Sequence, residues 1–99
     1  MFTGIIEEVG EIVEISDAAE FRTIRVRARN VMDDLRLGSS ISVNGVCLTA
    51  RSINEDIFSA EMSRETLDRT SLGNLDKGSI VNLERPMRLN DGTDSDYGF

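Results

Sequence analysis

The chain has 99 residues, enough for one domain and too few for two. With 11 basic against 18 acidic residues, the formal net charge is −7, which argues against nucleic acid or an anionic membrane surface as partner, since both require a concentrated positive patch. There is no His and one Cys, so a Ser–His–Asp triad is impossible and a zinc site would need almost wholly carboxylate ligands.

The lone Cys47 cannot form an internal disulfide. No basic segment followed by an apolar run opens the chain, and no apolar stretch approaches the roughly 20 residues of a membrane helix. The expectation is a cytoplasmic protein. With no Trp, one Tyr and four Phe, aliphatic residues must fill the core.

From Gly4 to Ile15 the chain is rich in Ile and Val, and Gly10 suggests a bulge or bend there. Asp17-Ala18-Ala19-Glu20 reads as a turn. Phe21 to Ala28 then alternates, with Ile24, Val26 and Ala28 on one face and Thr23, Arg25 and Arg27 on the other, as in a half-buried strand. Asn30 to Leu37 fits one or two helical turns with Asn30 as cap, broken by Gly38-Ser39-Ser40. Ile41 to Val43 begins a strand, Asn44-Gly45 is a hairpin signal, and the next strand runs from Val46 to about Ile53. After Asn54-Glu55-Asp56 comes a strand from Ile57 to Met62. Ser63 can cap a short helix from Arg64 to Thr70, ended by Leu72-Gly73. Asp76-Lys77-Gly78 turns the chain into a last strand, Ser79 to Arg85.

The connections are mostly too short for parallel crossovers. The predicted fold is therefore all-β: a six-stranded antiparallel small barrel over residues 1–88, with a short helix before the last strand. Residues 89–99 hold little to bury and read as a flexible tail.

Alternation also sorts the polar residues. After the Asn44-Gly45 turn, Val46, Leu48 and Ala50 share the apolar face, which sends Cys47, Thr49 and Arg51 outward. In the next strand Phe58, Ala60 and Met62 face in, and Ser59, Glu61 and Ser63 face out. Paired as a hairpin, the two strands bring Cys47 and Thr49 near Glu61 and Ser63, with Thr66 closing one end. A solvated sheet face is the plainer reading of that strip, but an outward Cys is unusual. No Gly-x-Gly occurs to cradle phosphate. Glu7-Glu8, Asp33-Asp34 and Glu55-Asp56 are adjacent carboxylates, which on a strand point apart and form no dyad.

Several blocks resemble the riboflavin synthase family in order and spacing. They are Met1-Phe2-Thr3-Gly4-Ile5-Ile6-Glu7-Glu8-Val9-Gly10, Ser42 to Thr49, Glu65-Thr66-Leu67, Thr70 to Gly73 and Gly78 to Arg85. The resemblance implies a lumazine-binding barrel, the N-terminal one of two in tandem, in an enzyme that acts as a trimer. In that family one 6,7-dimethyl-8-ribityllumazine gives a four-carbon unit to another, forming riboflavin and a ribitylamino-pyrimidine without metal or organic cofactor. It places Thr3, Gly4, Ile5, Cys47, Thr49, Glu61, Met62, Ser63 and Thr66 in the ligand pocket, Glu61 to Ser63 through their backbone. It implicates Phe2, Ser40 and Cys47 in catalysis. The family continues into a Gly-Gly-His segment and a second barrel, whereas this chain runs through Asn90-Asp91 to Phe99. An isolated barrel is expected to bind lumazine or flavin, to pair as a homodimer, and to turn over weakly or not at all. A non-catalytic lumazine- or flavin-binding protein on the same barrel is the alternative. An oligonucleotide-binding barrel is opposed by the acidity and the scarce aromatics.

Overall fold

The computed structural model describes residues 2–86. Residues 87 and 88 and the expected tail, 89–99, lie outside the described residues. Strands β1 (Glu8–Asp17), β2 (Phe21–Arg27), β3 (Ser40–Val43), β4 (Val46–Asn54), β5 (Ile57–Ser63) and β6 (Ile80–Glu84) close into one antiparallel barrel in the order β1-β2-β5-β4-β3-β6. Helix α1 (Arg64–Arg69) and a 3-10 turn (Ser71–Asn74) precede β6. Closure gives every strand a neighbour on both sides, which protects edges that so short a chain could not otherwise cover.

The period-2 pattern of each strand becomes the inside of the barrel. Ile12, Ile24, Val26, Ile41, Val43, Phe58, Ala60 and Leu83 are fully buried. Val31 and Leu72, from the two 3-10 turns, join the same core. Asn44 and Gly45 both take positive φ, as a two-residue hairpin twisted to match its strands requires. Asn44 also ties the hairpin to β6: its side-chain oxygen accepts from the Asn82 N–H at 2.7 Å.

The Ile- and Val-rich stretch that opens at Gly4 becomes strand only at Glu8. Two sequence expectations are corrected. The bulge lies between Ile12 and Glu14, while Gly10 pairs regularly with Val81. Gly10 is there for space: a Cβ would meet Leu83 Cδ1 at 2.7 Å and the Arg27 carbonyl at 2.9 Å. Asn30 does not cap the turn that follows it. The 3-10 turn Asn30–Asp33 has Arg29 at its cap position with no side-chain cap bond. The Glu8 carboxylate does the capping from β1, accepting from the Arg29 N–H at 2.5 Å and the Val31 N–H at 2.9 Å. A long-range acceptor replaced a local one, which no local pattern can announce.

Candidate functional site

The β3–β4 hairpin pairs Ser40 with Thr49 and Ser42 with Cys47. Directly opposed residues share a face. Since Ile41, Val43 and Leu48 point into the core, Ser40, Ser42, Cys47 and Thr49 form an outward polar strip. Cys47 is an exposed free thiol, as the alternation required. On β5, Phe58, Ala60 and Met62 turn inward and Glu61 and Ser63 outward.

Between these two strands the sheet is incomplete. The β4–β5 register runs from Asn54↔Ile57 to Ala50↔Ala60 and stops, although β4 begins at Val46 and β5 continues to Ser63. Beyond that point each strand keeps its other neighbour: Ser40 to Val43 still pair with β4, and Phe21 to Thr23 with β5. Continuing the register would set Thr49 opposite Glu61 and Cys47 opposite Ser63. The Ala50 N–H donates to the Ser39 carbonyl on the β3 side at 2.9 Å. By the alternation of an antiparallel strand, the main-chain groups of Thr49 then face the seam. An Arg51–Glu61 ion pair, 3.8 Å and solvent-exposed, spans the seam near its closed end.

Helix α1 starts where β5 ends. Ser63 Oγ accepts from the Thr66 N–H at 3.2 Å and lies 3.1 Å from Thr66 Oγ1. Ser63 is thus the N-cap foreseen from its residue type, and Thr66 is drawn to the end of the seam. At the other end of α1, Thr70 Oγ1 donates to the Thr66 carbonyl and accepts from the Leu72 N–H, so Thr70 closes the helix ahead of Leu72-Gly73.

A cavity of about 420 Å³ adjoins the strip at Ser40. Thr3, Ile5, Ser39 and Ser40 line one side, and Glu7, Asp34, Leu35, Glu84, Arg85 and Pro86 the other. Its wall is the segment ahead of β1, held by the end of β6. Glu84 is 6% exposed. Its Oε2 accepts from the Thr3 N–H at 2.5 Å and Thr3 Oγ1 at 2.7 Å. The Gly4 N–H reaches both carboxylate oxygens at 3.1 and 3.2 Å. Gly4 has φ +85°, which turns two successive N–H groups toward one anion at no steric cost.

One residue on, Arg85 grips the same segment. Its N–H donates to Glu7 Oε1 at 2.6 Å, and its guanidinium reaches both Glu7 oxygens at 3.2 and 3.0 Å and Asp34 at 2.9 Å. Hydrogen bonding from Arg85 holds the Glu7 carboxyl below its usual range, against an opposing contribution from burial. The two carboxylates raise Arg85 further above its already high value.

The residues foreseen from sequence therefore fall into two adjoining groups. Thr3, Ile5 and Ser40 line the cavity. Cys47, Thr49, Glu61, Ser63 and Thr66 follow the seam. Met62 is 2% exposed, so its side chain belongs to the core and only its backbone can face a ligand. Phe2 is half-buried at the start of the segment. Sequence reasoning missed Glu84, Arg85 and Glu7 as site residues. Glu84 does sit on the outward phase of β6 beside buried Leu83, but nothing local shows that partners 80 and 81 residues away enclose it. Among the described residues no three His, Cys, Asp or Glu side chains cluster as a metal site, and no helix is long and apolar enough to cross a membrane.

Known proteins share this barrel. The lumazine binding domain family model matches residues 3–86. Riboflavin synthase of Actinobacillus pleuropneumoniae is 52% identical over 90 residues, covering 91% of this chain and 42% of that one. The Bacillus subtilis (strain 168) riboflavin synthase is 43% identical over 90 residues, with the same coverage of 91% and 42%. The chain thus spans about 42% of the length of these curated relatives. Among solved structures, LumP complexed with riboflavin superposes with a TM-score of 0.82 at 26% identity, over 87% of this chain and 47% of that one. LumP complexed with 6,7-dimethyl-8-(1'-D-ribityl) lumazine gives 0.83 at 25% identity, over 91% and 50%.

Proposed function

The chain belongs to the lumazine-binding domain family, and from that premise we propose that it binds 6,7-dimethyl-8-ribityllumazine or riboflavin along the β4–β5 seam, as the N-terminal barrel of a riboflavin synthase. The observation that carries this is the seam itself. Two strands of one barrel stop pairing beside an outward Cys47 and Thr49, which leaves main-chain groups there without a ladder partner across the seam. A flat heterocycle with alternating donors and acceptors along one edge suits such a gap, because it can replace the missing ladder partners. Thr49 and Ser40 offer hydroxyls on the ring side, and Thr66 stands where a ribityl chain would end.

The reaction of the family fits a site without strong acids or bases. The methyl group on carbon 7 of the lumazine is acidic because its anion delocalises into the ring. A protein needs mainly to hold two such rings face to face, which is catalysis by proximity and orientation, with hydrogen bonds supporting developing charge. Ser40 and Cys47 are the side chains of the strip assigned to catalysis, and Phe2 precedes the cavity-lining Thr3. No metal or organic cofactor enters this reading. One barrel supplies one of the two sites, so the 99-residue chain alone should show weak or no turnover, checked by riboflavin formation from lumazine. A homodimer in a cytoplasmic setting completes this reading, and the free thiol of Cys47 suits such a setting.

The test is a riboflavin titration followed by flavin fluorescence and polarisation. Saturable binding, weakened about tenfold by Thr49→Ala through loss of a buried hydrogen bond, is expected. Absence of binding, or binding indifferent to Thr49, would overturn the reading.

A further inference from the structure

We propose that Glu84 is a positioning residue for this site: its buried carboxylate latches residues 2–5 against the barrel, so that Phe2, Thr3 and Ile5 complete the ligand pocket. The inference rests on the proposed lumazine or flavin site and adds a residue to it. Apart from half-buried Phe2 the segment has little apolar anchorage to keep it in place. Ile5 and Ile6 are 69% and 54% exposed, so hydrophobic burial contributes little to holding them. Its attachment is mainly polar and comes from two consecutive residues, Glu84 at the end of β6 and Arg85 just after it. Arg85 fastens Glu7, which is already tied to β6 by its own N–H donating to the Leu83 carbonyl at 2.9 Å. Upstream of that point Glu84 supplies the tie. Three donors (the Thr3 N–H, Thr3 Oγ1 and the Gly4 N–H) converge on its carboxylate.

A charged acceptor suits this geometry better than a neutral one, since charge-assisted bonds are about twice as strong. Glu84 also lies beside the strip: it pairs with Ser42, which is opposite Cys47 on β4. One carboxylate thereby joins the segment carrying Phe2 and Thr3 to the sheet carrying Cys47 and Thr49. Removing it should free the segment and leave the seam intact, because the seam is set by core residues of β4 and β5.

The experiment compares the full chain with Glu84→Ala, Glu84→Gln and, as a control, Thr49→Ala. Amide hydrogen exchange of Thr3 and Gly4 is read without ligand, and riboflavin affinity by fluorescence polarisation. In Glu84→Ala both amides should exchange at least about tenfold faster, with β-strand amides unchanged, and affinity should fall by a similar factor. Glu84→Gln, which keeps one oxygen acceptor, should lie between. Thr49→Ala should lose affinity while Thr3 and Gly4 keep their protection. Unchanged exchange in both Glu84 variants would overturn the latch, and so would faster exchange with undiminished affinity. If Glu84→Ala fails to fold, Glu84→Gln decides by the same two readings. Failure of the unsubstituted chain to bind riboflavin would instead sink the ligand assignment, and with it the pocket role, while the exchange reading would still decide whether Glu84 holds the segment.

Discussion

The strip on β4 and β5 and the segment of residues 2–7 border the same site, yet different forces hold them. Behind the strip stand Leu48, Ala50, Ala60 and Met62, all buried in the barrel core. Its outward residues can be polar, small or reactive because the inward ones fix the strands. The segment has the opposite design: Ile5 and Ile6 are exposed, the Glu84 carboxylate holds its backbone at Thr3 and Gly4, and Arg85 holds the Glu7 side chain. Moving the strip means unfolding the barrel. Moving the segment means breaking a few hydrogen bonds, at a cost well below the global stability of a domain this size.

The largest perturbation should come from the core behind the strip. Phe58 is fully buried on β5, and Phe58→Ala is expected to cost about 3–5 kcal/mol, measured by urea unfolding. If strip and segment differ as argued, this variant loses riboflavin binding and amide protection everywhere together. Gly10→Ala should cost about 1–3 kcal/mol by overpacking, since Leu83 and the Arg27 carbonyl leave no room for a methyl group. A stability unchanged by that substitution would show that β1 can shift away from Leu83 and Arg27.

The smallest effect belongs to the segment. Arg85→Ala should cost about 1 kcal/mol, because its ion pairs with Glu7 and Asp34 are partly solvated. The Glu7 carboxyl has its pKa lowered in the folded state, chiefly by hydrogen bonding from Arg85. Its stabilising contribution is therefore complete above the usual 4.5 and is lost as pH falls through the lowered folded value. Unfolding free energies between pH 6 and pH 3 should show a shallower acid loss in Arg85→Ala than in the unsubstituted chain. Parallel curves for the two proteins would remove Glu7 and Arg85 as a pH-dependent fastening.

The strip was legible from residue order and the segment's attachment was not, for the same physical reason. Side-chain direction on a strand repeats every two residues, so Val46, Leu48 and Ala50 facing in oblige Cys47 and Thr49 to face out. The Asn44-Gly45 turn is equally local, because both residues must take positive φ. Where closeness in space joins distant positions, local pattern is silent. Glu8 caps the turn at Asn30 from more than 20 residues away, which is why the Asn30 cap was misplaced. Gly10 looks like a bulge residue until Leu83 and Arg27 are found against it.

Residue order alone thus determined the all-β antiparallel pattern, the hairpin turn, the Ser63 cap and the outward direction of Cys47, Thr49, Glu61 and Ser63. Those features rest on backbone geometry within a few residues. The tertiary structure alone decided that β4 and β5 part beyond Ala50 and Ala60, and that Glu84 and Arg85 clasp residues 3–7. The clasp follows from barrel closure, which brings β6 beside β1 and β3 and so places the end of the barrel against its beginning.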